Sequence, residues 1–268
     1  MPYASTRDDV RIFYQLVGNG PITLVFIHPP GMGHVTFKQQ LPLAKKFRLL
    51  YLDLRGNGRS GRNEEPITIP MLATDIFDVC QELNLKNFFI VGYSNGASIA
   101  MEFALTYPPL VEGLILVGAF PKVNSVLLFG EFLLGIWATK VDQMPLIAKV
   151  IGHAHAYSKE FGRELESYIL KTDASTLHEM YNEGVKYDCT SKLKEIKAPI
   201  LLVYGQRDYY VHHYQKEFAA LHQQTQIIYI SKAKHQVPTR FPNEFNTILQ
   251  IFINKHAPTN DKTSRKNF

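Results

Sequence analysis

The chain has 268 residues, 46% of them hydrophobic and 20% charged, with a formal net charge of +5. This length fits one large domain or a domain carrying an insertion, and the even mixture excludes a disordered, collagen-like or coiled-coil protein. Lys255, Lys262, Arg265 and Lys266 gather at the end of the chain while both signs intersperse elsewhere, so the positive balance does not point to nucleic acid.

In chain order, apolar runs of strand length alternate with longer helix-like segments. This is the pattern of an α/β protein, a mostly parallel sheet with helices on both faces. Residues 11–17 alternate in polarity and are expected to form one of two antiparallel strands at the N-terminus. Runs at 22–27, 49–54, 87–91 and 114–117 are nearly continuous in apolar residues, as strands buried on both sides are. The series resumes at 199–204 and 226–230. Segments 70–83 and 243–254 have helical periodicity, and Pro242 suits a first helical position. Between 119 and 196 the strand pattern stops. Leu127, Leu128, Glu131, Leu134 and Trp137 fall on one helical pattern there, and Leu165, Tyr168, Ile169 and Leu177 on later ones. Such a span is too long for a plain connection. The expected organisation is a core domain at 1–120 and 186–257, a helical cap at 121–185 after the sixth strand, and a disordered polar tail at 258–268.

Cys80 and Cys189 lie far apart with no partner motif, which argues against a disulfide framework or a cysteine zinc site. The polar start, with Asp8 and Asp9, lacks the apolar run of a signal peptide. The most apolar stretch, 126–138, is too short to span a bilayer and contains Glu131. A cytoplasmic protein without stable membrane insertion is expected.

The chemistry centres on Gly92-Tyr93-Ser94-Asn95-Gly96, which follows the strand at 87–91 and opens a helical segment at 97–105. G-x-S-x-G in this strand, turn, helix context holds a serine in a strained backbone conformation, with small residues Gly92, Gly96 and Ala97 around it. The reading is a nucleophile at Ser94; the plainer alternative is a turn whose serine only caps the helix. A serine hydroxyl needs a base to take its proton, and the base needs an acid to fix its tautomer. Of ten histidines, His235 follows the last strand, where a loop bends back over the sheet edge. Asp208 stands at the carboxyl end of the strand at 199–204. The order Ser94, Asp208, His235 is that of α/β-hydrolases and not of the chymotrypsin or subtilisin folds. His178, His212, His213, His222 and His256 sit on helical patterns and are read as ordinary surface or core residues.

With these residues the chain resembles a capped α/β-hydrolase, from a family of esterases, lactonases, C–C hydrolases and cofactor-free haloperoxidase-like enzymes. The resemblance runs from Val10 to His256 and rests on IHPPG at 27–31, DLRGNGRS at 53–60, GYSNGA at 92–97, YGQRD at 204–208 and AKHQVP at 233–238. It implies a lid between the sixth and seventh strands, and a structural turn at DLRGNGRS in which Gly56 and Gly58 allow a tight bend. It also implies two backbone donors for an oxyanion, each worth roughly 2.7–4 kcal/mol in the transition state. One is the N–H of Asn95. The family's His-Gly-x places the other at x, which here is Pro30, and proline has no N–H. The resemblance then shifts the donor to Gly31, the expected position, or to Met32.

Ser94 excludes the subfamilies with an aspartate nucleophile. Gln236 after the histidine departs from the Trp of many C–C hydrolases, and GYSNG departs from the G-G-S-W-G of prolyl iminopeptidases. What remains is a carboxylic ester, lactone or thioester with an apolar portion. Leu127, Leu128, Phe129, Phe132, Leu133, Leu134 and Trp137 supply an apolar lid for it, unless they are plain packing residues. The expected partner is a small-molecule substrate with an apolar moiety. No phosphate loop or metal-ligand cluster is found, so no cofactor and no metal are implied. Three alternatives stand beside the esterase: a ligand-sensing or stress-regulatory member with slow or single-turnover hydrolysis, a C–C bond hydrolase, and a scaffold that has lost activity.

Overall fold

A computed structural model describes residues 2–257, so the tail expected at 258–268 lies outside the described residues. Eight strands form one sheet in the order β1-β2-β4-β3-β5-β6-β7-β8. The strands are β1 (Tyr3–Ser5), β2 (Arg11–Val17), β3 (Thr23–Ile27), β4 (Arg48–Leu52), β5 (Phe88–Tyr93), β6 (Val111–Val117), β7 (Ile200–Gly205) and β8 (Thr225–Ile230). β1 and β2 pair antiparallel, and β2 joins the rest through an antiparallel ladder with β4. All other ladders are parallel.

The continuous apolar runs follow from this placement. Side chains alternate across a strand, so Val25, Leu50, Ile90, Leu114 and Leu202 face one side of the sheet, while Leu24, Leu49, Phe89, Ile115 and Leu201 face the other. Helix α1 (Ile69–Glu82) and helix α2 (Asn95–Thr106) cover the first side, with Ile76, Val79, Ile99 and Phe103 buried against it. The C-terminal helix (Pro242–His256) covers the second with Phe245, Leu249, Phe252 and Ile253. Thr68 starts α1 by accepting the Met71 N–H at 3.2 Å, satisfying a donor that the first turn leaves open. The strand β8 at the edge is only half-buried.

Between β6 and β7 the chain forms α3 (Val126–Lys140), α4 (Met144–His155), α5 (Lys159–Ile169) and α6 (Ala174–Lys186). Ser125, Ser158 and Asp173 cap α3, α5 and α6 through their side chains. α3 packs on α6, and α4 on α5. Ile147, Ala148, Phe161, Leu165, Ile169 and Leu177 make a separate small core, which Met32 of the sheet's loop joins. The entry and exit of this insertion are pinned together: Cys189 N–H donates to the Pro121 carbonyl at 3.0 Å, and Lys122 bridges Asp188.

Candidate active site

The parallel strands end together at one edge of the sheet, and three of them carry the candidate residues. β5 runs straight into Ser94, whose φ of 54° and ψ of −127° lie in a region that L-residues rarely adopt. The Ser94 N–H donates to the Val117 carbonyl of β6 at 2.8 Å, which fixes the turn. A Cβ on Gly96 would come within 2.5 Å of the Ile27 carbonyl oxygen, so only glycine lets α2 start this close to β3. The Ser94 side chain makes no capping hydrogen bond to α2, which removes the plainer reading of this turn.

Past β7, Asp208 is 1% exposed, and its Oδ2 lies 2.7 Å from His235 Nδ1. Gly118 has a φ of 57°, and a Cβ there would stand 2.5 Å from His235 Cε1, so the missing side chain makes room for the ring. Burial disfavours the imidazolium of His235. The charge and hydrogen bond of Asp208 and the charge of Glu131 outweigh it, so the pKa rises above the ordinary 6.5. Ser94 and His235 line the same cavity, and among the described residues no hydrogen bond joins them. Beneath the ring, the buried Tyr93 hydroxyl sits 3.1 Å from the His235 carbonyl oxygen and 2.9 Å from His155 Nε2 of α4. His155 is held neutral, its pKa pushed down to about 4 chiefly by burial.

The oxyanion loop corrects one expectation. The Gly31 N–H donates to Asn57 Oδ1 at 2.6 Å and is therefore committed to the DLRGNGRS turn, not open to a ligand. The Met32 N–H is held only by a long 3.2 Å bond to the Pro29 carbonyl, and Met32 lines the cavity. The Asn95 N–H, at the start of α2, has no partner among the described residues. His28 Nε2 accepts the Leu54 N–H at 2.9 Å, and its Nδ1 donates to the Pro29 carbonyl at 2.7 Å, so the ring ties this loop to the end of β4. Burial lowers its pKa to about 4, keeping it neutral. Gly56 and Gly58 have φ of 70° and 57°, as the tight bend requires. The turn closes around Asp53, which accepts from His34 N–H at 2.8 Å, Arg59 N–H at 2.9 Å and the Tyr168 hydroxyl at 2.6 Å.

The cavity holds about 410 Å³ and is mostly apolar. Ser94, Asn95 and His235 form one wall; Leu128, Phe132, Leu134 and Trp137 of α3, Ile147 and Val150 of α4, and Tyr181 of α6 form the other. Leu127, Phe129 and Leu133 do not reach it and are exposed. Leu134 and Trp137 line it yet are exposed as well, so of the apolar lid expected from α3 only Leu128 and Phe132 are buried against the cavity. Glu131, His155 and Tyr181 also line the cavity, and the sequence reading gave them no role there. Glu131 was visible on the same helical pattern as Leu128; it borders the cavity but stays exposed to solvent. Among the described residues no three His, Cys, Asp or Glu side chains gather as a metal site. None of the described helices is long and apolar enough to cross a membrane.

This arrangement has relatives. The family model for serine aminopeptidase, S33, matches residues 41–239. The chain belongs to that family. An uncharacterized Mycobacterium tuberculosis protein is 30% identical over 145 residues, a match covering 53% of this chain and 42% of that one, so less than half of that relative's length is spanned. The pimeloyl-[acyl-carrier protein] methyl ester esterase of Serratia marcescens is 25% identical over 261 residues, covering 91% of this chain and 99% of that one. Among solved structures, an esterase from Exiguobacterium antarcticum superposes with a TM-score of 0.85 at 20% identity, over 94% of this chain and 98% of that one. This S33 family member therefore has the α/β-hydrolase fold that its sequence resembles, with the mostly parallel eight-stranded sheet between two helical layers.

Proposed function

We propose that the protein is a serine esterase that cleaves a carboxylic ester, lactone or thioester with an apolar portion through an acyl-enzyme on Ser94. The reading is carried by one observation: the 2.7 Å bond between His235 and buried Asp208, with the ring on the same cavity wall as the strained Ser94. In this mechanism Ser94 Oγ attacks the carbonyl carbon as His235 Nε2 takes its proton, and Asp208 stabilises the resulting imidazolium. The Asn95 N–H and, in place of Gly31, the Met32 N–H hold the oxyanion. Collapse expels the alcohol or thiol with the proton from His235, and water then repeats the sequence to release the acid. The gap between Ser94 and His235 is expected to close once substrate fills the cavity, as catalytic hydrogen bonds in empty sites are often long. Helices α3, α4 and α6 act as the lid: their apolar side chains select the substrate and exclude water, which strengthens the oxyanion bonds. The relationship to a methyl ester esterase supports an ester over a peptide bond.

The test is steady-state hydrolysis of p-nitrophenyl acyl esters by the wild type and Ser94→Ala. Many products per site are expected from the wild type, and a fall of several orders of magnitude, up to ~10⁶, from the variant. Near-normal rates in folded Ser94→Ala overturn the mechanism. A single product per wild-type site favours the slow ligand-sensing reading.

A further inference from the structure

Tyr93 stands next to the nucleophile in the chain, is wholly buried, and offers one hydroxyl to two elements. Its oxygen lies 2.9 Å from Nε2 of His155, at the end of α4, and 3.1 Å from the carbonyl oxygen of His235. The ring packs near both imidazoles, at centroid distances of 6.0 Å from His155 and 5.4 Å from His235. His155 Nδ1 sits 2.9 Å from the Ile151 carbonyl oxygen, which can only accept, so Nδ1 carries the proton of the neutral ring. Nε2 is therefore bare, and Tyr93 has a single proton for two acceptors. Whichever acceptor takes it, the other gives it up. The His235 carbonyl keeps a second donor, the Val237 N–H at 2.8 Å. His155 Nε2 has none among the described residues.

We propose that Tyr93 and His155 are positioning residues that tie the placement of the His235 base to the position of helix α4. The inference rests on the esterase reading above and adds the regulation of the same site. His155 borders the cavity together with Ile147, Val150 and Ile151 of the same helix, so a substrate that fills the cavity presses on α4. Among the described residues α4 has two hydrogen bonds to groups outside the inserted helices, the one to Tyr93 and a 3.2 Å bond from Arg240 to the Ala154 carbonyl. Its packing is mostly with α5, so it is free to shift against the sheet. In the empty site the Tyr93 proton lies on His155, and no hydrogen bond joins His235 to Ser94. A substrate that displaces α4 lengthens the bond to His155. Tyr93 then donates to the His235 carbonyl and anchors the main chain that carries the base. Two exclusive arrangements of one proton make a discrete switch, which a continuous apolar contact does not. Packing alone gives no reason for the pair, since apolar groups of this shape fill a buried space without polar atoms to satisfy.

The experiment measures kcat and KM for a p-nitrophenyl ester in the wild type, Tyr93→Phe, His155→Leu, His155→Gln and the double variant Tyr93→Phe/His155→Leu. Tyr93→Phe should lower kcat about ten-fold, the worth of one good hydrogen bond in the transition state. KM should stay within about two-fold, because the hydroxyl holds the base and not the substrate. The double variant should be no slower than the slower single variant, since both changes remove the same link. His155→Gln, whose amide oxygen still accepts the Tyr93 proton, should recover most of the kcat that His155→Leu loses. Where a variant fails to fold, nitrogen NMR of the histidine side chains in the wild type decides. Phosphonylation of Ser94 should move the His155 Nε2 resonance from the hydrogen-bonded to the free range. An unchanged kcat in folded Tyr93→Phe, losses that add in the double variant, or a His155 Nε2 still hydrogen-bonded after phosphonylation overturns the inference and leaves the esterase standing. A wild type without Ser94-dependent turnover overturns the esterase and the inference together.

Discussion

His235 sets the working pH of the site. Asp208 and Glu131 raise its pKa against the opposing effect of burial, so the ring is charged to a higher pH than a free histidine. Only the neutral ring accepts the Ser94 proton. The acid limb of kcat/KM for a neutral ester should therefore have its midpoint above 6.5, and a midpoint below that contradicts the assignment. The same shift affects the fold in the opposite direction: the stabilisation it brings is full below the unfolded histidine pKa and is lost as pH rises through the folded one. At this scale much was readable. Ser94, Asp208 and His235 each follow a strand in the sequence, and the structure brings all three to one end of the sheet. Gly31 was not readable, because what occupies its N–H is Asn57, a contact between two loops far apart in the chain.

Among the elements, the loop after β3 depends on the turn after β4. Asn57 Oδ1 holds the Gly31 N–H, and its Nδ2 donates to the Arg55 carbonyl at 2.8 Å. Asn57→Ala leaves both groups buried and unpaired, at about 1–3 kcal/mol each. Denaturant unfolding should show a loss of about 2–6 kcal/mol for the two groups together, with the slope unchanged; an unaltered midpoint would mean that water or a shifted loop replaces the amide. The four helices between β6 and β7 were legible as helices because the strand pattern stops there. Which side of α3 looks inward was not. That helix is apolar nearly all round, from Leu127 to Trp137, so periodicity gives no preferred face, and only its packing on α6 separates Leu128 from Leu127.

The whole molecule follows from strands with no watery side. β3, β5 and β7 are buried throughout and β6 everywhere but at Glu112, and their near-continuous apolar runs announced a central parallel sheet. Two short segments escaped the reading: the 3-10 stretch His34–Lys45 packs against β4, and the helix Val237–Arg240 packs against that stretch and the C-terminal helix, so tertiary contacts hold both. The fold brings a strained serine, a histidine paired to a buried aspartate, and an apolar cavity to one sheet edge. Its central chemical claim is a covalent intermediate on Ser94. The most direct test is intact-protein and peptide mass spectrometry after rapid acid quench of a p-nitrophenyl ester reaction, with an organophosphonate as a trapping control. The account predicts one acyl or phosphonyl group per chain, on the peptide containing Ser94, absent in Ser94→Ala. A label on another residue, or turnover with no label at Ser94 by either reagent, contradicts it.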